Sequence, residues 1–593
     1  MRGFFALASA LWRYAGKRRS LVVLSTAMFI LSNIVWLFEP YAIGQLLNAV
    51  QNAATTDAPF NVIVYYLVLI VLLSAGSWLL HGPARVLERR TAFHIRLALK
   101  QHLFSTLTAL PLQWHKTHHS GKTINRIGKA SNSLYDFSEN SFQLIEMMIR
   151  PLGALVALSL LLPAAAAITA GAMIAACVLV FSFDRVLLPL YDRINEKDHR
   201  VASVLHDYIT NITTVITLRL EALTQSELLR RMSHYFPIFQ RETLLNEWKW
   251  FMATMAISVT TAGVLGWYAY SNISLGVPLL AGTFFMLYEY LQKIGAAFYT
   301  FAWKYGQIVE QYANFKTVQP ILEADRPELH ECRLSDSWDT IDIKNLNFTY
   351  NDEERRTHHL KDVSLTLKKG RKIAFIGESG SGKSTLMVLI RGLQSADSGT
   401  VLCDGVKLAH GLKDVGCTVT LIPQEPEIFE NTIEYNITLG TEHTKEEIED
   451  DVKLARFESV VEKLPKGFLT NTAEKGVNLS GGEKQRLALA RGFFAAKNGS
   501  TPLTTGSGII LLDEPTSSVD PANERHIYEN LFKRFADRCV VSSLHKLYLL
   551  PMFDEAYVFK DGAVVAHGTP EELLNEGGIL HPLWKREREM TGR

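Results

Sequence analysis

Long apolar runs crowd the first half of the chain, while the second half alternates short apolar stretches with polar and charged ones. Six runs reach spanning length, at residues 21–37, 62–80, 144–162, 164–188, 251–270 and 279–301. Each is near the roughly 20 residues a helix needs to cross hydrocarbon. The pattern predicts six membrane-spanning helices, an even number that returns the chain to its starting side. Stretches 38–61, 163 and 271–278 hold no Lys or Arg, whereas Arg85, Arg89, Arg90, Arg96 and Lys100 follow the second run and Arg193, Lys197 and Arg200 follow the fourth. Basic residues stay on the cytoplasmic side, so both termini are expected in the cytoplasm.

The two inner connections, about 80–141 and 189–250, are too long for loops and too rich in helix formers for disorder. They are expected to extend the spans as long helices. Residues 111–121 (PLQWHKTHHSG) and 207–215 (DYITNITTV) interrupt them, each as a short transverse helix at a tip that reaches a cytoplasmic domain. The basic, amphipathic N-terminus, with Arg13, Lys17, Arg18 and Arg19 and no acid, reads as an interfacial helix.

Helical patterning continues past the sixth run to Ala324, and composition shifts at Asp325-Arg326-Pro327-Glu328. Beyond it, β-rich runs at 341–350, 363–367, 372–376, 419–422, 508–512, 539–543 and 555–559 alternate with helical segments, the pattern of an α/β domain with a partly parallel sheet. The expected fold is a multidomain membrane protein. An all-α six-helix transmembrane domain occupies residues 1–325, with the interfacial helix and both tips, and an α/β phosphate-loop domain occupies 326–593.

The formal charge of +1 over 593 residues conceals this asymmetry and gives no reason to expect nucleic acid as a partner. The five cysteines, Cys177, Cys332, Cys403, Cys417 and Cys539, lack CxxC pairing, so reduced thiols are expected.

Three motifs carry chemistry. Gly377-Glu378-Ser379-Gly380-Ser381-Gly382-Lys383-Ser384-Thr385 follows an apolar strand, precedes a helix and fits G-x-x-x-x-G-K-[ST]. Its glycines let backbone N–H groups face phosphates at a helix N-terminus, Lys383 reaches the β- and γ-phosphates, and the Ser384 hydroxyl suits Mg²⁺. Ile509-Ile510-Leu511-Leu512-Asp513-Glu514 is a buried strand ending in two carboxylates. Asp513 suits the Mg²⁺ shell, and Glu514 can polarise the attacking water as general base. Leu479-Ser480-Gly481-Gly482-Glu483-Lys484-Gln485-Arg486 opens a further helix whose small residues expose amides, a second anion site.

LSGGEKQR resembles the signature motif of ATP-binding-cassette (ABC) proteins, and the resemblance extends over nearly the whole chain, to half-size exporters with a fused six-span domain. It implies that Tyr350 stacks on adenine, that Gln424 in LIPQEPEIF senses Mg²⁺ and water, that Asp520 in SSVD makes a dimer contact, and that His545 in SSLHKL is the switch histidine at the γ-phosphate. Glu474 resembles the acidic residue that meets the coupling tips. Taken singly, Tyr350 reads rather as a packed aromatic, Gln424 as a loop polar residue and His545 as a satisfied core histidine. Their order between the stronger motifs favours the functional roles. DEPTSSVD departs from the commoner DEATSALD, and residues 497–508 (KNGSTPLTTGSG) read as an inserted loop; neither removes a catalytic group.

In this family Ser480, Gly481, Gly482 and Glu483 of one copy face the ATP held by the other. The resemblance therefore implies a homodimer with two competent sites, ATP and Mg²⁺ as ligands, and ATP-driven export or flipping of an amphipathic or polar substrate by alternating access. The surrounding lipid and a small-molecule, lipid or peptide substrate are further partners. A heterodimer half-subunit and an ATP-gated ion pathway stay open as alternatives. The lack of a long leader points to a bacterial inner membrane. Within the spans, Glu146 and Arg150, Asp184 and Arg185, and Glu289 and Lys293 pair charges, the first and last at i,i+4 spacing that lets them neutralise each other. Because charges at such depth face a bundle interior or a water-filled path, Arg150, Glu289 and Lys293 are candidates to line a translocation cavity.

Overall fold

The computed structural model describes residues 2–53, 60–118, 120–325, 334, 337–351, 356–473, 476, 478–498 and 507–591. The chain forms two compact units, Met1–Ala109 with His118–Asp325, and Leu110–Thr117 with Arg326–Arg593.

Among its described residues the first unit consists of helices joined by short connections, without a strand. Its three longest helices, Phe60–Thr108, Pro163–Thr210 and Glu221–Ser274, hold 49, 48 and 54 residues. At 1.5 Å per residue they run about 70–80 Å, far beyond the ~30 Å of a hydrocarbon core. Local sequence explains where they break. Pro163 forces the preceding residue out of the helical basin, and Leu162 accordingly stands at φ −154°, ψ 92°, so Ser141–Leu161 and Pro163–Thr210 are separated by one residue. The interruption expected at 207–215 is the short helix Ile212–Thr217.

Five helical stretches are long and apolar enough to cross a membrane among the described residues. The sixth expected span exists as the 36-residue helix Ala281–Lys316, but Glu289, Gln292 and Lys293 at its middle make its composition too polar to meet that measure. Residues 39–53 were expected as a connection; they continue as a helix, Glu39–Ala53.

That helix supplies what the start of Ala281–Lys316 lacks. The first N–H groups of a helix have no internal partner; here Gln51 Oε1 accepts from Ala281 N at 2.8 Å and Asn48 Oδ1 accepts from Gly282 N at 2.8 Å. The approach requires glycine, because a Cβ on Gly282 would lie 1.8 Å from the Gly44 carbonyl oxygen. Farther along, Leu287, Tyr290, Leu291 and Ile294 pack with Ala154, Leu158, Ala165 and Val264 in one apolar cluster.

In the second unit, strands β1 (Thr340–Asn351), β2 (Arg356–Lys368), β3 (Lys372–Gly377), β4 (Ser398–Cys403), β5 (Val406–Lys407), β6 (Val419–Ile422), β7 (Ile509–Leu512), β8 (Cys539–Leu544), β9 (Glu555–Lys560) and β10 (Ala563–Gly568) form two sheets. The smaller has order β2-β1-β4-β5 and the larger β10-β9-β3-β8-β7-β6. Strands β9, β3, β8, β7 and β6 are mutually parallel, and β10 joins antiparallel. Side chains alternate across a strand, so Ile373 and Phe375 pack toward the smaller sheet with Ile341, Ile343 and Leu367, whereas Ala374 and Ile376 pack toward Leu487, Phe493 and Tyr528. With both faces covered, all four residues of β7 are buried, as the unbroken IILL run requires. Each β-rich run expected from sequence falls on a strand; β4, β5 and β10 went unread.

Residues 110–117 fold with this unit: Leu112–Thr117 is a short helix, and Gln394 Nε2 donates to Gln113 Oε1 at 3.4 Å. Glu474 and residues 499–506 of the insertion lie outside the described residues. Cys177, Cys403 and Cys539 are free thiols, but Cys417 is disulfide-bonded. This corrects the expectation of reduced thiols throughout, since pairing depends on Cβ proximity in space, which spacing along the chain does not report.

Replacing Gly282 by Ala pushes a methyl into backbone and is expected to cost about 1–3 kcal/mol, the usual range for overpacking. Thermal unfolding of the detergent-solubilised protein will show this as a lowered midpoint; an unchanged midpoint would mean the two helices have room to part.

Candidate functional site

Parallel strands deliver their C-terminal ends to one edge of the sheet, where ligands of α/β proteins collect. Register places Ile376 of β3 beside Leu544 of β8, Leu512 of β7 beside Ser542 of β8, and Ile422 of β6 beside Leu512. The loops leaving those strands carry the phosphate-loop glycines, His545, Asp513 with Glu514, and Gln424, in that order. One edge thus gathers residues spread over almost 170 positions of chain.

After β3 the chain turns through residues 378–382 into the helix Lys383–Ile390. Gly382 sits at φ +103°, and a Cβ there would meet Leu360 Cδ2 at 2.7 Å, so only glycine fits. Glu378, Ser379, Gly380 and Ser384 are exposed, and Thr385 is half-buried. The Lys383 ammonium folds back, donating to the Gly377 carbonyl at 2.7 Å and the Glu378 carbonyl at 3.0 Å. Burial pushes its pKa down, and the nearby carboxylates of Glu514 and Asp513 oppose that. The buried Ser381 Oγ has no hydrogen-bond partner among the described residues.

Asp513 Oδ1 accepts from two hydroxyls, Ser384 Oγ at 3.0 Å and Ser543 Oγ at 2.9 Å. Ser543 also accepts from the Glu514 backbone N–H at 2.8 Å. Glu514 adopts φ +46°, a left-handed conformation that costs a non-glycine residue about 1 kcal/mol or more and persists only where surroundings over-determine it. Both its carboxylate oxygens are engaged. Gln424 Nε2 donates to Oε2 at 2.6 Å, and His545 Nε2 is bonded to Oε1.

The signature residues are placed differently. Ser480 precedes the helix Gly481–Asn498 and caps it reciprocally: Glu483 Oε2 accepts from Ser480 N at 2.7 Å and from Ser480 Oγ at 2.8 Å. The Ser480 backbone N–H, followed by its hydroxyl, holds the Glu483 carboxyl below its ordinary value against the opposing effect of burial. Gly481 is exposed, and Gly482 lies against Ser518. Among the described residues no hydrogen bond joins Ser480 or Glu483 to the phosphate loop. Asp520 is exposed and caps the helix Pro521–Arg534 through Asn523 N at 3.0 Å and Asn523 Nδ2 at 2.8 Å, bonds that keep its carboxyl low. Tyr350 is half-buried, edge-on to Phe348 and His359 with centroids 4.8 and 4.7 Å away.

Two polar residues of this edge escaped the motif reading. Ser543 holds both Asp513 and the Glu514 backbone, as above. Gln485, inside the signature motif, donates to Ser517 Oγ at 2.7 Å and accepts from Ser518 N at 2.8 Å, tying the signature helix to the turn after Glu514. Its interior place in the helix was the only signal.

In the first unit, Glu146 and Arg150 pair at 2.9 Å as their spacing predicts. Glu289 and Lys293 form no ion pair among the described residues; the Lys293 ammonium lies 3.1 Å from the Trp36 ring centroid, and the Arg150 guanidinium lies 4.2 Å from the same ring. Asp184 pairs with Lys249 at 3.3 Å rather than with its neighbour Arg185. Helical spacing permits an i,i+4 pair, but a neighbouring helix offered Lys293 a nearer partner. Arg150 and Lys293 line a cavity of about 90 Å³ with Trp36, Glu146 and Thr300. Glu289, one turn from Lys293, is not among its lining residues, which on that helix run the other way, from Lys293 to Thr300. Trp36 and Asn33, whose Oδ1 accepts from Arg150 Nε at 2.8 Å, were not foreseen as members of this cluster.

Comparison with known proteins agrees with the two-part reading. The ABC transporter transmembrane region family matches residues 22–294, and the ABC transporter family matches residues 360–517. A Xenopus tropicalis protein, ATP-binding cassette sub-family B member 6, is 25% identical over 99% of this chain and 69% of its own length. An ATP-binding/permease protein of Staphylococcus aureus, whose name proposes multidrug export, is 25% identical over 95% of this chain and 96% of its own. The structure of a bacterial Atm1-family ABC exporter with ATP bound shares the fold at a TM-score of 0.79 and 22% identity, over 96% of this chain and 98% of that one. A multi-pass helical region, an α/β domain built round a phosphate loop, and both family matches in that order along one polypeptide lead to one conclusion: this chain belongs to the ATP-binding-cassette transporters, as a half-size exporter whose ATPase domain is coupled to transport.

Proposed function

We propose that two copies of this chain form an exporter that hydrolyses ATP between them, with Glu514 as the general base, and moves an amphipathic or polar substrate across a cytoplasmic membrane by alternating access. The observation that carries the reading is the convergence of Lys383, Ser384, Asp513, Gln424, Glu514 and His545 on one sheet edge, where bonds of 2.6–3.0 Å join Ser384, Asp513, Ser543, Glu514 and Gln424 in one network.

Lys383, the glycine cradle and the unpartnered Ser381 hydroxyl suit the phosphates of ATP, and Tyr350 offers a face to adenine. The Ser384 hydroxyl, Asp513 carboxylate and Gln424 side-chain oxygen make an all-oxygen donor set of the kind Mg²⁺ prefers. Those residues would hold the ion, which when bound would offset phosphate charge. The Glu514 carboxylate is held between Gln424 and His545. Release of one of these partners frees an oxygen to accept a proton from water, and His545 is then placed to stabilise the charge that develops at the γ-phosphate.

Ser480 and Glu483 satisfy one another, and among the described residues neither hydrogen-bonds to the phosphate loop. A signature helix that completes no site in its own chain supports a second copy as its partner, with Asp520 at the shared face. ATP then acts as a ligand of the closed pair, and its differential affinity shifts the membrane region toward outward opening. Arg150, Lys293 and the nearby Glu289 are proposed to serve the translocation path, and both termini to lie in the cytoplasm.

Glu514→Gln is expected to bind ATP normally and to lose about 10²–10⁴-fold in turnover; binding of a fluorescent ATP analogue and steady-state phosphate release check both halves, and near-normal hydrolysis removes Glu514 as the base. Glu289→Gln and Lys293→Met are expected to alter substrate-stimulated ATPase while basal ATPase stays level. Equal loss of both activities would assign these charges to helix packing instead.

A further inference from the structure

A buried carboxylate that no motif contains lies behind the proposed catalytic residues. Glu524 is the fourth residue of the helix Pro521–Arg534, capped by Asp520, and its relative exposure is 3%. Three side chains donate to it. Thr516 Oγ1 bonds Oε1 at 2.6 Å, Lys546 Nζ bonds Oε2 at 2.8 Å, and Tyr548 OH also bonds Oε2.

The donors come from two separate segments, and each segment carries a residue of the site. Thr516 stands two residues after Glu514, and Lys546 directly follows His545. The helix bearing Glu524 is capped by Asp520, and one turn beyond Glu524 the Tyr528 OH and Ser542 Oγ are bonded at 2.7 Å. Ser542 in turn precedes Ser543, which holds Asp513 and the Glu514 backbone. A single buried group therefore ties together the Glu514 turn, the His545 loop and the helix that Asp520 caps.

Burying a carboxylate is costly unless its lone pairs are met, and apolar residues of equal volume often stabilise as well or better. What apolar residues would lack is directional hold on two loops. Glu514 needs such hold, because its backbone at φ +46° is outside its preferred basin and stays there only if the surroundings insist.

We propose that Glu524 is a positioning residue for ATP hydrolysis. It acts through Thr516 and Lys546 to set the relative placement of Glu514 and His545, and it links that placement to Asp520. The inference rests on the reading above that Glu514 and His545 serve hydrolysis. A displacement of Asp520, at the face proposed to meet the second copy, would then move both catalytic groups together.

The test uses full-length protein and steady-state ATPase kinetics on Glu524→Gln, Thr516→Val, Tyr548→Phe and the Glu524→Gln/Thr516→Val double variant, beside the unaltered protein and Glu514→Gln. Glu524→Gln is expected to lower kcat by about 10–100-fold, the scale of a small misplacement of reacting groups, with KM for ATP within about twofold. Thr516→Val is expected to lower kcat less, and the double variant to be no worse than Glu524→Gln alone, since residues of one network do not act independently. A kcat within about twofold of the unaltered protein, losses that follow a rising KM, or effects that multiply in the double variant each overturn the proposal. Should Glu524→Gln fail to fold, Thr516→Val and Tyr548→Phe, which keep the carboxylate beside Lys546, decide it: lowered kcat at constant KM supports the role, and normal kcat in both overturns it. If the unaltered protein hydrolyses ATP, Glu514→Gln does not, and Glu524→Gln runs normally, only this inference fails. If the unaltered protein does not hydrolyse ATP, the functional reading fails and takes this inference with it.

Discussion

Parallel pairing of β3, β8, β7 and β6 is the constraint on which the site depends. Parallel strands all end on one edge, and their register sets Ile376 level with Leu544 and Ile422 level with Leu512, the two pairs offset by two residues along β8. The loops that leave β3, β7 and β8 begin from strands buried on both faces, and the loop after β6 begins at the buried Ile422, so the loops inherit a rigid origin. The polar groups at the edge then need only short reaches. Ser543 illustrates this: one hydroxyl, on the penultimate residue of β8, donates to Asp513 and accepts from the Glu514 backbone.

Polar groups in the membrane unit follow the same rule under a harsher solvent. Where hydrocarbon offers no hydrogen bonds, every donor must find a protein partner. Gln51 and Asn48 meet the open N–H groups of Ala281 and Gly282. Arg150 divides its donors between Glu146 and Asn33 and lies over Trp36. Lys293 reaches the same indole, whose face attracts cations without demanding a buried counter-charge. The charges that lower the hydropathy of Ala281–Lys316 are thus accommodated by neighbours that a hydropathy count does not see.

The motifs were legible because each is a short local pattern with a local backbone reason. Glycines at 377, 380 and 382 permit a turn that other residues resist, and IILL before Asp513 can only be a strand covered on both sides. Short, weakly patterned strands were not legible: β5 has two exposed residues, and β10 alternates half-buried with exposed positions. Both are held by their neighbours rather than by their own composition. The Glu289–Lys293 pair was misjudged for a related reason, because spacing on a helix says which groups can meet and not which other groups come nearer.

By itself, then, the sequence determined the six-run helical half, the α/β half, the phosphate loop, the strand-end carboxylates and the family, since each rests on contacts between residues close along the chain. Only the tertiary structure decided that Gln424 and His545 both bond Glu514, that Ser543 bonds the Glu514 backbone while Gln485 and Glu524 bond residues of the turn that follows it, and that Trp36 gathers Arg150 and Lys293. Most of those partners are separated by tens to hundreds of residues, and a hydrogen bond or a cation over a ring depends on distance in space, which the order of residues along a chain does not carry.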